Sequence, residues 1–308
     1  MTTTARLLHV NSFAPAPFTG NPAAVLVLEH EPSDDFAARA GAELNQPATA
    51  VVWPAGEPGR FGLRWFTAHG ELELCGHGTL AAARVLLDSG AAVDGTVRFE
   101  TRSGTLEARA VGEWVQLRLP SLPPEPLVDA ATADASPGQA APGEAVLGEA
   151  VRQLLLPVPV TATARNELDV LAVLGSAAEV RAAQPDLAAL RRLPVRGLII
   201  TAPGPGADGD GANSAGANGD GTDQADFVSR FFQVVTGAED AVTGSAHCAL
   251  GPFWIGRLGR QPLTGRQLSA RGGLIRVAQE GDEVLLGGEA VIVAGGTWRI
   301  PVTSKVIW

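Results

Sequence analysis

Leu74-Cys75-Gly76-His77-Gly78-Thr79-Leu80 is the stretch on which the reading of this chain turns, and Val242-Thr243-Gly244-Ser245-Ala246-His247-Cys248 is its echo, with Thr243 standing 168 positions after Cys75. Each leaves an apolar strand end and makes a glycine-containing turn. Each then enters a run that reads as a buried helix, Leu80-Ala81-Ala82-Ala83-Arg84-Val85-Leu86 in the first case and Ala249-Leu250-Gly251-Pro252-Phe253-Trp254-Ile255 in the second. Arg64-Trp65-Phe66 announces the first, and Arg230-Phe231-Phe232 the second. The chain therefore reads as two copies of one unit. A helix start carries unpaired N–H groups and a partial positive charge, so each copy offers a place for an anionic group of a small ligand.

The totals agree with that reading. At 308 residues the chain is long enough for two domains, each with its own core. A 45% hydrophobic content and a mean hydropathy of +0.13 fit a globular protein. The net charge is −10, with no run of Lys or Arg, which speaks against nucleic acid or an anionic membrane as a partner. Two cysteines, Cys75 and Cys248, make no disulfide framework, and no signal peptide or membrane-spanning run is read in the sequence. The expectation is a cytoplasmic protein.

Working outward, Leu7 to Phe13 and Ala23 to Leu28 read as strands, joined by the turn-forming Phe18-Thr19-Gly20-Asn21-Pro22. Ser33-Asp34-Asp35 opens a helix with Phe36, Ala40 and Leu44 on one face, and Pro47 interrupts it. Ala50 to Trp53 and Phe61 to Phe66 read as further strands, and Val97 to Leu119 as a β-meander. Pro120 to Pro126 is the expected linker, dividing a first domain over 1–119 from a second over 127–301. Residues 204–226 are Gly, Ala, Asn and Asp, a composition expected of a flexible surface insertion.

These residues resemble the phenazine-biosynthesis PhzF-like isomerase family, which shares the diaminopimelate epimerase fold. The resemblance is carried by Asn11-Ser12-Phe13, Thr19-Gly20-Asn21-Pro22-Ala23, Arg64-Trp65-Phe66-Thr67, Glu71-Leu72, Cys75-Gly76-His77-Gly78-Thr79-Leu80 and Glu239-Asp240-Ala241-Val242-Thr243-Gly244-Ser245-Ala246. It implies an α/β (α+β) fold of two similar domains, each a curved sheet or barrel wrapped around a central helix. It also implies a homodimer, and return of the closing residues 302–308 to the first domain. Family members resembling the phenazine enzyme shift a proton along a dihydro-hydroxyanthranilate, with a glutamate as base assisted by a histidine and an aspartate. By that resemblance His77 is the histidine and Asp240 the aspartate, while Gly76, Gly244 and Ser245 mark turns whose backbone groups hold the substrate carboxylate, and Gly78 and Thr243 are further substrate-binding positions. Where the family pattern resembles Asn-Leu-Ser-Glu-Thr, this chain has Asn45-Gln46-Pro47-Ala48-Thr49, so Ala48 lines the site where the base should stand.

A positioned general base contributes about 10²–10⁴-fold, so its absence leaves the reaction open. Cys75 reads either as a thiol whose pKa a helix start lowers or as a small buried residue. Glu73 and His69 are alternative bases, Glu71 is a structural carboxylate, Glu239 a solvated loop charge, Cys248 a core residue and His247 a weak candidate. No cluster has metal-ligand spacing and no loop fits a nucleotide, so catalysis without metal or cofactor is expected. Three functions follow: an isomerase acting on a small cyclic or aromatic carboxylic acid of bacterial specialised metabolism; the same pocket used for cyclisation, dehydration or hydrolysis; or a ligand-binding protein without catalysis.

Overall fold

The computed structural model describes residues 2–127, 142–207 and 225–301. The chain divides into two compact units, Met1–Leu119 with Leu285–Trp308, and Pro120–Val284.

In the first unit β1 (Thr2–Ser12) runs antiparallel to β2 (Asn21–Val27), and β2 runs parallel to β3 (Thr49–Pro54). A parallel pair needs a crossover, supplied here by α1 (Asp34–Leu44). Ser33 caps that helix by accepting from the Phe36 N–H, and Asn45 ends it in the left-handed region at φ 47°. Its Ala37 and Ala40 pack with Leu26, Val51, Trp53 and Phe66. Next, β4 (Arg60–Thr67) pairs antiparallel with β3, then β5 (Gly70–Leu72) pairs with the far end of β4. The helix α2 (Gly76–Asp88) follows, then β6 (Thr96–Thr101), parallel to the start of β4, and the antiparallel β7 (Gly104–Val111) and β8 (Trp114–Pro120). Residues Gly76 to Ala83 of α2 are all buried, and the helix touches β1, β2, β3, β6 and β7. It is the axis around which the sheet curls, and its run of alanines lets the strands approach closely.

The second unit contains β9 (Glu125–Pro126), α3 (Pro142–Leu154), β10 (Ala162–Arg165), β11 (Asp169–Val173), α4 (Ala177–Ala182) and α5 (Leu187–Leu190). It continues with β12 (Gly197–Pro203), β13 (Phe227–Gln233), β14 (Ala238–Asp240), α6 (Gly244–Leu258), β15 (Leu263–Gln267) and β16 (Gly273–Glu280), and ends inside β17 (Glu283–Gly288), whose residues from Leu285 on belong to the first unit. The pairing repeats that of the first unit. A parallel β11–β12 pair, an antiparallel β12–β13 pair, β14 on the end of β13, β15 parallel to the start of β13 and an antiparallel β15–β16 pair reproduce β2 to β7 in order. Its core gathers Val151, Leu155, Val170, Leu198, Ile200, Val228 and Phe232.

Two sequence expectations change at the domain boundary. The expected second domain extends to residue 301, yet β18 (Ala290–Pro301) pairs antiparallel along the whole of β1 and belongs with the first unit. Alternation within a strand marks its faces and not its partner, so the return, expected only for 302–308, begins earlier than the sequence pattern could tell. Pro120 to Pro126 is also more than a spacer. The Leu122 N–H donates to the Cys248 carbonyl at 3.0 Å, the Ser121 N–H donates to the Asp282 carbonyl at 2.8 Å, and Glu125–Pro126 pairs with β10. Pro252, inside α6, has no N–H for the Cys248 carbonyl four residues back, and Leu122 fills that vacancy.

Residues 302–308 lie outside the described residues, as does most of the 204–226 insertion. The rims of that insertion are joined, the Gly204 N–H donating to the Asp226 carbonyl and the Gly206 N–H to the Ala225 carbonyl, each at 2.9 Å.

Candidate functional site

Each unit presents one set of candidate residues at the start of its central helix. In the first, β4 and β5 bring the chain to Cys75, which sits extended at φ −143° and makes no side-chain cap to α2. The Cys75 carbonyl accepts from the Thr79 N–H at 2.9 Å and from the Thr79 hydroxyl at 2.8 Å. Cys75 Sγ lies 3.5 Å from His77 Nδ1 and 3.9 Å from Nε2, both side chains being buried. The Ser12 hydroxyl donates to the His77 carbonyl at 2.7 Å and ties this turn to β1. Gly78 has no room for a side chain, since a Cβ there would lie 2.8 Å from Trp65 Cδ1 and 3.0 Å from Cys75 Sγ. Cys75, Gly76, His77 and Gly78 are thus brought together.

In the second unit Asp240 ends β14 and accepts from the Thr243 hydroxyl at Oδ2, 2.6 Å away. Thr243 spends its hydroxyl there and makes no cap to α6. Gln267 braces the turn by donating to the Asp240 carbonyl at 2.8 Å and accepting from the Thr243 N–H at 2.9 Å. The Ser245 hydroxyl accepts from Arg196 Nη1 at 3.0 Å. Asp240, Thr243, Gly244 and Ser245 are therefore also one cluster.

Each cluster stands on the same kind of scaffold within its own unit. Arg64 forks onto Glu71 with two bonds of 2.7 Å, its guanidinium 4.9 Å from the Phe66 ring centre. Arg230 forks onto Glu239 at 2.7 and 3.0 Å, again 4.9 Å from a ring, that of Phe232. The first pair pins β5 to β4 and the second β14 to β13, so each fixes the strand that delivers its turn. Glu71 is a structural carboxylate, and the Arg64 guanidinium holds its carboxyl below the usual range. Glu239 is not the solvated charge expected of it, because the β13–β14 turn folds it back onto Arg230.

His247 corresponds to Thr79 by position. Its Nδ1 meets the Thr243 carbonyl at 2.8 Å as the Thr79 hydroxyl meets that of Cys75. The ring is fully buried, which lowers its pKa to about 4, against a smaller opposing effect of that carbonyl. A buried group engaged in this way holds the turn together. Burial likewise pushes the Cys248 thiol up to about 12, which makes it a core residue.

Ala48 is fully buried at the entry to β3 and carries no proton-transfer group. Strand register gives its counterpart. Thr49 pairs with Phe66 as Leu198 pairs with Phe232, so Ala48 corresponds to Gly197 and Pro47 to Arg196. Sequence reasoning missed Arg196, Asp169 and Gln267. The one signal was a charge at the mouth of each apolar strand, Asp169 before Val170-Leu171-Ala172-Val173 and Arg196 before Gly197-Leu198-Ile199-Ile200. His69 and Glu73 are exposed positions on either side of β5. Among the described residues no group of His, Cys, Asp and Glu could hold a metal ion, and no helix is long and apolar enough to cross a membrane.

Two α/β units, each curling a sheet around a buried helix whose N-terminus carries the polar cluster, define an epimerase-like architecture. A hydroxyproline epimerase from Agrobacterium vitis shares that fold at a TM-score of 0.54, with 13% identity over 98% of this chain and 96% of its own. Residues 10–296 match the family model described as phenazine biosynthesis-like protein, and the chain belongs to that PhzC-PhzF family. It is 38% identical to an uncharacterized isomerase of Pseudomonas aeruginosa over 95% of this chain and 97% of the relative. A crystal structure of a PhzF-family phenazine biosynthesis protein from Enterococcus faecalis superposes with a TM-score of 0.78 at 31% identity, covering 96% and 99% of the two chains.

Proposed function

We propose that this protein is a PhzF-like isomerase that moves a proton along a small cyclic or aromatic carboxylic acid, with Cys75 and His77 doing the proton transfer. The observation that carries the reading is the 3.5 Å approach of Cys75 Sγ to His77 Nδ1 at an uncapped helix start. His77 accepts the thiol proton, and the field of the helix N-terminus favours the resulting thiolate. The thiolate removes a proton from substrate carbon, and the imidazolium returns one at the new carbon, so charge and proton count balance. Asp240, oriented by the Thr243 hydroxyl, is assigned to a polar substituent of the substrate. The Gly244-Ser245 turn, whose Thr243 leaves the first N–H groups of α6 uncapped, is assigned the carboxylate. A small carboxylate and a second copy of the chain are its proposed partners, and bacterial specialised metabolism its proposed setting.

NMR in D₂O with a dihydro-hydroxyanthranilate tests this. The wild-type protein is expected to place deuterium on carbon, and Cys75→Ala or His77→Gln to slow that about 10²–10⁴-fold. Undiminished exchange in Cys75→Ala would remove the thiol from the mechanism. One observation favours a second reading, that the pocket performs a dehydration, hydrolysis or cyclisation: Ala48, which by the family resemblance stands in place of the base, is fully buried and carries no proton-transfer group. Product mass separates the two, since an isomer keeps the mass of its substrate. If only Ala48→Glu converts the isomerase substrate, the second reading holds.

A further inference from the structure

The second unit holds a charged assembly for which the reaction above has no use. Asp169 opens β11 with its side chain 1% exposed. Arg196 forks onto it, Nε donating to Oδ1 at 3.0 Å and Nη2 to Oδ2. Two parallel bonds from a planar guanidinium to a carboxylate fix its plane as well as its place. The Phe231 ring, centred 5.5 Å from the guanidinium carbon, closes one face. Gly197 keeps room for that ring, because a Cβ there would lie 2.2 Å from Phe231 Cζ. Burying a carboxylate is costly, so an arrangement of this kind, with Arg196 still partly exposed, calls for an explanation.

The explanation lies at the remaining nitrogen. Arg196 Nη1 donates to Ser245 Oγ, and Ser245 is half-buried in the first turn of α6. A guanidinium can only donate, so Ser245 Oγ is the acceptor in that bond and its own proton points away from Arg196. With one lone pair so engaged, the hydroxyl is left turned to donate elsewhere. It sits where Thr243 leaves the helix start uncapped. Strand register deepens the point. Arg196 and Gly197 occupy the place that Pro47 and Ala48 occupy in the first unit, so a guanidinium stands in the second unit where the first has the uncharged Pro47.

We propose that Arg196, fixed by Asp169, is a positioning residue that commits the Ser245 hydroxyl to donate to the carboxylate of the substrate, so that the second unit discriminates ligands by their charge. The proposal rests on the reading that the Gly244-Ser245 turn receives that carboxylate.

Calorimetric titration with 2-aminobenzoate and with 2-aminobenzamide, which has the same shape without the charge, tests it. The wild-type protein is expected to favour the acid by about tenfold or more, as charge-assisted bonds are roughly twice as strong as neutral ones. Ser245→Ala and Arg196→Gln are each expected to collapse that preference, and combining them to cost no more than either alone. Because Arg196→Gln strands a buried carboxylate, the pair Asp169→Asn with Arg196→Gln serves as the folded counterpart. Arg196→Lys is expected to restore part of the preference.

An acid preference that survives Asp169→Asn/Arg196→Gln but is lost in Ser245→Ala would overturn the role of Arg196 and leave the carboxylate reading standing. Equal weakening of acid and amide would mark Arg196 as purely structural and also overturn the proposal. A wild-type protein indifferent to the charge would refute the carboxylate reading itself, and the proposal with it.

Discussion

Replacing His247 by Thr should remove a specific pH dependence of stability from the second unit. Burial lowers the His247 pKa from 6.5 to about 4, while its bond to the Thr243 carbonyl works in the opposite direction. Nε2 meets no hydrogen-bond partner among the described residues, so protonation would put a charge where nothing receives it. Between those two pH values the unfolded chain holds a proton that the folded chain does not, and stability rises with pH across the window. A shift of roughly 2.5 units at 1.36 kcal/mol each makes the swing about 3 kcal/mol, lost as pH falls from 6.5 to about 4. Thr is the informative replacement because Thr79 already makes the equivalent bond in the first unit, at 2.8 Å. The smaller side chain should lower stability by about 2 kcal/mol at every pH through the space it leaves. The decisive quantity is therefore the slope and not the level. Hydrogen exchange of the α6 amides, corrected for intrinsic rates, reads both. If the difference between wild type and His247→Thr stays constant from about pH 4.5 to pH 7.5, the assignment of a buried neutral imidazole is wrong.

Other predictions concern the scaffold. Glu71→Gln and Glu239→Gln should each cost about 2 kcal/mol in chemical unfolding, since each leaves a buried arginine without its charged fork. Glu71 titrates below 4.5 because Arg64 binds its charged form, so its contribution is present above that pH and lost as pH falls through the lowered value. Glu71→Gln should flatten that acid limb, and an unchanged limb would contradict the pairing. Gly197→Ala drives a Cβ to 2.2 Å from Phe231 Cζ and should destabilise the second unit by about 1–3 kcal/mol. Retained stability there would show that the ring has room to move.

What could be read in the sequence was what depends on near neighbours. The Ser33 start of α1 and the glycine turns before α2 and α6 are local chemistry, and their repetition betrayed the duplicated unit. What escaped depends on strands that meet only in the fold. Asp169 and Arg196 are adjacent because β11 and β12 run parallel, with Asp169 opposite Gly197, and no spacing in the sequence announces that. Glu239 was misread for a milder reason, since a turn of uncertain length separates it from Arg230. The return of β18 to β1 spans nearly the whole chain. Of the candidate residues, those adjoining the two turns were recoverable one by one, whereas the arginine that orients Ser245 was not.

Pro252 carries a consequence for the way two copies of a unit came to be joined. A duplicated fold needs somewhere to lay the connecting segment, and any stretch of chain left loose would be open to cleavage. Here a single ring in the second copy's central helix withdraws a donor, and the carbonyl left behind becomes a docking point for Leu122. The first copy has Leu80-Ala81-Ala82-Ala83 in its helix and offers no such vacancy. The copies are thus not interchangeable parts. The later one is marked as the one that receives the seam, and a fragment cut at Leu127 would sever the seam from the helix that holds it.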